Sequence, residues 1–149
     1  MNKVNYDTLL NQIKSITESE TNKIANLSNS IALIHESLNT LWTGFYFVEG
    51  DELVLGPFQG PVACTRIKFD KGVCGKAWSE NKTLTVADVH SFDGHIACSA
   101  LSNSEIVIPL RINNKVVGVL DIDSEQLNYF NSEDEKGLEH LVSYIEKLL

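Results

Sequence analysis

Basic residues and cysteines are both scarce in this chain. Its 12 lysines and arginines stand against 20 aspartates and glutamates, a formal net charge of −8. That balance disfavours wrapping on a phosphate backbone, so no nucleic-acid partner is expected, and it favours solubility. Three prolines and nine glycines are scattered singly, leaving no tract of the kind that marks disorder, a linker or a repeat. No apolar run approaches the roughly 20 residues of a membrane span. The opening Met1-Asn2-Lys3-Val4-Asn5-Tyr6 lacks the apolar core of a signal peptide. A cytoplasmic protein with no membrane partner is the expectation. In a reducing compartment three cysteines, an odd number, do not form a disulfide framework and are instead reactive, metal-binding or simply buried.

What is present is the composition of a globular chain. With 149 residues, 43% of them hydrophobic and 21% charged, one domain can bury roughly two thirds of the surface its unfolded form exposes. Helical spacing occupies residues 1–40, through Leu9, Leu10, Ile13 and Ile16 and then Ile24, Leu27, Ile31, Ile34 and Leu38, which predicts two helices. Strand texture follows over residues 42–124. Trp42 to Val48 and Glu52 to Phe58 form a hairpin about Glu49-Gly50-Asp51, and Ser104 to Ile112 pairs with Lys115 to Asp123 about Asn113-Asn114, residues that tolerate a tight turn. Between them come a short helix from Gly72 to Glu80, a short strand Thr83 to Val86 and a long surface loop over 87–103. Ser132 with Glu135 three positions on marks a capping box for a last helix over 132–149. The class is α+β, helices packed on one face of an antiparallel sheet.

Chemistry-bearing residues concentrate between these helices. Cys64, Cys74 and Cys98 precede or surround acidic residues on apolar strand positions, Glu105, Asp121 and Asp123. Alternation puts Asp121 and Asp123 on one face about 6 to 7 Å apart. Such a pair either ends a strand in water or shares a pocket with a cation or a proton. A plain two-residue turn at Asn113-Asn114 would place Glu105 on the other face. A β-bulge near Pro109, which cannot donate to the ladder, would return it to the aspartate face. Cys64, beside Val62 and Ala63, is either a small buried hydrophobe or a partner thiol. Cys74 stands at a helix start, where the backbone dipole can lower a thiol pKa. Cys98, in a polar loop, is the first choice as nucleophile. A zinc site from Cys64, Cys74, His95 and Cys98 lacks the paired short spacing of structural zinc modules, and His90 and His95 are expected to cap loop turns. Trp42 and Tyr46, four apart on a strand, share a face and either fill core or line an apolar box beside the carboxylates.

The blocks Trp42-Thr43-Gly44-Phe45-Tyr46, Leu55-Gly56-Pro57-Phe58-Gln59-Gly60, Gly72-Val73-Cys74-Gly75, Gly94-His95-Ile96-Ala97-Cys98, Ser104-Glu105-Ile106-Val107-Ile108-Pro109 and Gly118-Val119-Leu120-Asp121-Ile122-Asp123-Ser124 occur in one order. This run resembles the free methionine (R)-sulfoxide reductases, which are GAF-domain enzymes. Asp93 stands where members often have proline and Ser99 where many have aspartate, changes of loop stiffness and local charge that leave all three cysteine positions filled.

The resemblance implies a single GAF domain over 1–149, with a six-stranded antiparallel sheet, N- and C-terminal helices on one face, and a loop-covered ligand pocket on the other. It implies that Cys98 attacks free methionine sulfoxide, that Cys64 resolves the resulting sulfenic acid and that Cys74 is an auxiliary thiol. Glu105, Asp121 and Asp123 would recognise the substrate and assist at its oxygen, with Trp42 and Tyr46 as pocket aromatics. No bound cofactor or metal is implied, the external reductant would be thioredoxin or another dithiol, and a homodimer is frequent. Two other classes share this fold: a non-catalytic small-ligand-binding module and a thiol redox sensor. The absence of an attached output domain weighs against the first.

Overall fold

The computed structural model describes residues 3–96 and 98–149; Met1, Asn2 and Ala97, the last within one of the quoted blocks, lie outside them. Helices α1 (Tyr6–Thr17) and α2 (Lys23–Leu38) start at Asn5 and Asn22, whose side chains accept from Thr8 N and Ala25 N, as N-cap asparagines do. Asn39, left-handed at φ 51°, ends α2. Then come β1 (Trp42–Glu49), β2 (Glu52–Gln59), β3 (Arg66–Lys68), α3 (Gly72–Glu80), β4 (Leu84–Val86), β5 (Ser104–Ile112), β6 (Lys115–Ser124) and α4 (Ser132–Ile145). The six strands form one antiparallel sheet in the order β3-β2-β1-β6-β5-β4. β3 escapes the sequence pattern because three residues are too few to show alternation. Inside the expected surface loop, residues Val89–Ser91 form a single 3₁₀ turn with Val89 fully buried.

Both faces of the central strands are covered. Phe45, Ile106, Ile108, Leu110, Leu120 and Ile122 meet α1, α2 and α4, while their alternate neighbours Tyr46, Val107 and Val119 pack beneath α3 and the loops. Two covered faces explain why β5 and β6 are apolar almost throughout rather than alternating. The β5–β6 turn has positive φ at both Asn113 (52°) and Asn114 (65°), the two-residue hairpin geometry expected there.

Two expectations shift by small steps. The capping box of α4 uses Asn131 and Asp134, not Ser132 and Glu135: Asp134 N donates to Asn131 Oδ1 at 2.9 Å and Asn131 N to Asp134 Oδ2 at 3.0 Å. Asn is the better acceptor at the cap and Asp fills the reciprocal place one residue early. The bulge in the β5–β6 hairpin is not at Pro109, which pairs regularly with Val119. Leu110 pairs with Gly118 but Arg111 with Val116, so the extra residue is Val117, on β6. β4 reaches β5 only from Glu105 to Val107, so the outer edge at Pro109 needs no N–H and the proline disturbs nothing.

Candidate functional site

Val117 decides what the site contains. With that one extra residue in β6, Glu105 falls opposite Asp123 instead of Ile122, so its carboxyl joins Asp121 and Asp123 on the face turned away from the helices. On the other side of β6, Asp123 pairs with Trp42 and Asp121 with Gly44. Gly44 is required here: a β-carbon would strike the Trp42 ring and come within 2.6 Å of Phe58 Cβ. Trp42 therefore lies over β1, stacked between Tyr46 and Phe58 with ring centroids 5.8 and 5.4 Å away.

The two aromatics also anchor the chain above them. Trp42 Nε1 donates to Pro61 O at 3.1 Å and Tyr46 Oη to Cys64 O at 2.8 Å, which fixes the segment bearing Cys64 over the sheet. On the opposite rim, Ser102 Oγ donates to Asp123 Oδ1 at 2.8 Å and Asn103 N to Ser124 O at 2.8 Å, which ties down the segment bearing Cys98. A disulfide joins the rims: Cys64 and Cys98 are bonded, with Cα atoms 5.4 Å apart. Beneath it lies a cleft of about 560 Å³ including the open space at its mouth, lined by seven of the eight residues singled out from the sequence, while the eighth, Cys64, closes it through its bond to Cys98.

Like charges placed directly across strands repel, and Glu105 and Asp123 are so placed, with Glu105 and Asp121 buried and Asp123 half-buried. Burial pushes the Glu105 carboxyl well above its ordinary range, reinforced by Asp121 and then Asp123. Asp123 is pushed well up by burial and by Asp121. Burial also raises Asp121, but hydrogen bonding from Glu105 and Cys74 pulls it back. Burial thus favours the protonated forms of Glu105 and Asp123, and Asp121 is the member on which a charge is least disfavoured. Asp121 lines the cleft, and its buried Oδ1 has no hydrogen-bond partner among the described residues.

Cys74 reverses an expectation. Though it is the third residue of α3, its thiol is pushed well above the usual value, first by burial and then by Asp121 and Glu105. Its Sγ sits 4.0 Å from Glu105 Oε1 as a weak donor. Burial, reinforced by two nearby strand carboxyls, outweighs the dipole of a nine-residue helix. Cys74, Glu105 and Asp121 bring ligand atoms within 4.8 Å of one another, but a metal there would have to displace the protons held by Cys74 and Glu105. The zinc set weighed from sequence loses Cys64 and Cys98 to their disulfide.

Three cleft residues were missed from sequence. His90 does brace the loop, its Nε2 at 2.9 Å from Asn103 Oδ1, but His95 instead lines the cleft with Nε2 3.9 Å from Glu105 Oε2. Burial lowers the His95 pKa and raises that of Glu105, and both shifts weigh against an ion pair between them. Ser102 and Lys71 are the others. Nothing in a lone serine or lysine announces a pocket, although Lys71 directly precedes the glycine that opens α3.

A family model described as GAF domain matches residues 28–149. The free methionine-R-sulfoxide reductase of Escherichia coli is 50% identical over 151 aligned positions, covering 100% of this chain and 92% of that protein. The fRMsr of Staphylococcus aureus in its reduced form superposes with a TM-score of 0.95 at 50% identity, over 99% of this chain and 97% of that one. The X-ray structure of the free methionine-R-sulfoxide reductase from Neisseria meningitidis in complex with its substrate gives 0.94 at 49%, over 96% and 87%. Half-identity across almost the whole of each sequence goes with the same sheet, and the chain belongs to the GAF-domain family of free methionine-R-sulfoxide reductases.

Proposed function

We propose that the protein reduces free L-methionine (R)-sulfoxide to methionine, with Cys98 as nucleophile. The observation that carries this reading is the Cys64–Cys98 bond closing a cleft floored by Glu105, Asp121 and Asp123. In the reduced protein the Cys98 thiolate attacks the sulfoxide sulfur. That sulfur is a poor electrophile until its oxygen takes up a proton, and the buried, protonated Glu105 or Asp123 supplies one. Charged Asp121 meets the α-ammonium, and Trp42 and Tyr46 supply the apolar wall for the S-methyl end.

Oxygen transfer releases methionine and leaves Cys98 as a sulfenic acid. The Cys64 thiol condenses with it, forming the disulfide and one water. An external dithiol then exchanges with this bond, becoming a disulfide itself and restoring both thiols. No organic cofactor or metal enters that cycle. Thioredoxin in the reducing cytoplasm is the reductant we assign, and a homodimer is the assembly we assign.

The test couples the protein to thioredoxin, its reductase and NADPH, and follows NADPH consumption on free L-methionine (R)-sulfoxide. Turnover that vanishes in Cys98→Ser is the expected result. Tight binding of the sulfoxide without turnover would instead mark a ligand-binding module, and oxidation without any substrate preference a redox sensor.

A further inference from the structure

Each turnover of this cycle leaves the Cys64–Cys98 bond to be reopened from outside, by a dithiol whose thiolate must come within bonding distance of one of the two sulfurs. The surface around that bond is therefore a second place of recognition. Val62, two positions before Cys64, is 89% exposed, and Leu101, three positions after Cys98, is 57% exposed. Ile96, two positions before Cys98, is exposed as well and lies over the start of α3, 3.2 Å from where a Gly72 β-carbon would stand. Val62 and Ile96 meet at the mouth of the cleft. Exposed apolar side chains scattered singly need no account, but three flanking one reactive bond mark a contact surface.

Charge supplies an independent observation. Residues 60–76 and 94–103, the segments that carry the bonded cysteines, hold four of the 12 basic residues, Arg66, Lys68, Lys71 and Lys76, and only Asp70 of the 20 acidic ones. Lys76 pairs with Asp70 at 3.1 Å and Arg66 with Glu52 at 3.4 Å. Lys68 and Lys71 are exposed and join no ion pair among the described residues. A chain of net charge −8 thus turns a positive rim toward whatever approaches its disulfide. An acidic partner is repelled elsewhere and drawn in only here, which aligns it on the bond. The two sulfurs also differ, because Cys98 lines the cleft and Cys64 does not.

We propose that this rim is the docking surface for an acidic dithiol protein, with Val62, Ile96 and Leu101 as apolar contacts and Lys68 and Lys71 as charged ones, and that the partner's thiolate attacks Cys64 Sγ. The inference rests on the reductase reading, whose cycle needs an external dithiol, and adds where that dithiol docks and which sulfur it enters by. Attack forms a mixed disulfide at Cys64, breaks the Cys64–Cys98 bond and expels Cys98 as a thiolate. The partner's second thiol then attacks the partner sulfur of the mixed disulfide, and its proton passes to the Cys64 thiolate that leaves. Two electrons have entered, the partner departs as a disulfide, and Cys98 is back in the cleft as the nucleophile.

Kinetics with two reductants test the surface. Leu101→Glu is expected to lower kcat/KM for thioredoxin about tenfold and Lys68→Glu about three- to tenfold, both through KM, while turnover driven by dithiothreitol stays within about twofold of wild type. Added salt should weaken the use of thioredoxin more in wild type than in Lys68→Glu. An equal fall with both reductants, no fall with thioredoxin, or an altered oligomeric state of Leu101→Glu on size exclusion overturns the docking surface. Trapping tests the entry sulfur and needs no sulfoxide: thioredoxin with its second cysteine changed to serine is mixed with the oxidised protein, and peptide mass mapping is expected to find it bonded to Cys64. A bond to Cys98 overturns that assignment. Absence of sulfoxide turnover with both reductants would instead fail the reductase reading, while the trap would still report on the rim.

Discussion

At Cys74 the local and the tertiary environment pull in opposite directions. Position three of a helix favours a thiolate, whereas full burial beside Asp121 and Glu105 favours the thiol, and the second wins. A protonated, sealed thiol is a poor resolving group, so Cys64→Ser should yield a burst of about one methionine per site followed by turnover slower by at least about tenfold. Quenched-flow detection of methionine checks this, and full steady-state activity would remove Cys64 from the cycle. Glu105 offers a test of opposite sign in stability and activity. Its folded pKa is raised above the unfolded value. Between those two values the unfolded chain has released a proton that the folded chain still binds, so stability falls as pH rises from the ordinary carboxylate range toward neutrality. Glu105→Gln does not titrate. It should melt higher than wild type at pH 7, by an amount of order 1 kcal/mol or roughly 2–4 °C, and no higher at pH 4. Its kcat/KM should drop about 100-fold or more. Equal melting at both pH values would mean that the carboxyl is not held protonated. Residue identities for this chemistry were open to view in the sequence, since thiols and strand carboxylates stand out against apolar neighbours. Their protonation was not, because it depends on burial and on groups brought together from as far apart as 16 positions, for Glu105 and Asp121, and 49 positions, for Cys74 and Asp123.

Elements were legible wherever periodicity ran long, as in α1, α2, β1, β5, β6 and α4. What stayed hidden was register. Moving Glu105 from one face of the sheet to the other takes a single bulged residue, and Val117 has nothing in its side chain to distinguish it from Val116 or Val119. A proline looked like the irregularity only because its missing N–H is visible in the letters, while the short reach of β4 that excuses it is not. The same limit hides the purpose of Gly44, which reads as a weak point in β1 until Trp42 is seen lying across it. Gly44→Ala should push that ring off β1, costing about 1–3 kcal/mol of stability through overpacking and raising KM for the sulfoxide. A thermal melt together with the near-ultraviolet circular dichroism of the Trp42 stack reads both effects. An unperturbed stack with an unchanged KM would take Trp42 out of the pocket wall.

Across the whole molecule, one face is closed by three helices packed on apolar strands, whereas the cleft face is closed by α3 and two irregular segments, each segment hung from the sheet by a few hydrogen bonds. The Cys64–Cys98 bond is the covalent link between those segments and spans 34 positions of sequence. In the chain-entropy description a loop of that size restricts the unfolded state by about 3 to 4 kcal/mol. The oxidised protein should therefore melt higher than the reduced one, by roughly 5–15 °C at 2–4 °C per kcal/mol. The extra stability would be lost at the step where the external dithiol reopens the cleft. Melting with and without a small dithiol measures the difference, and Cys64→Ser supplies the control, because its melt should not respond to reductant and should lie near the reduced wild type. Cys74→Ser should keep the full redox gap. A gap that persists in Cys64→Ser would assign the redox-sensitive bond to Cys74 and Cys98 and would place the buried thiol, not the rim thiol, in the path of the electrons.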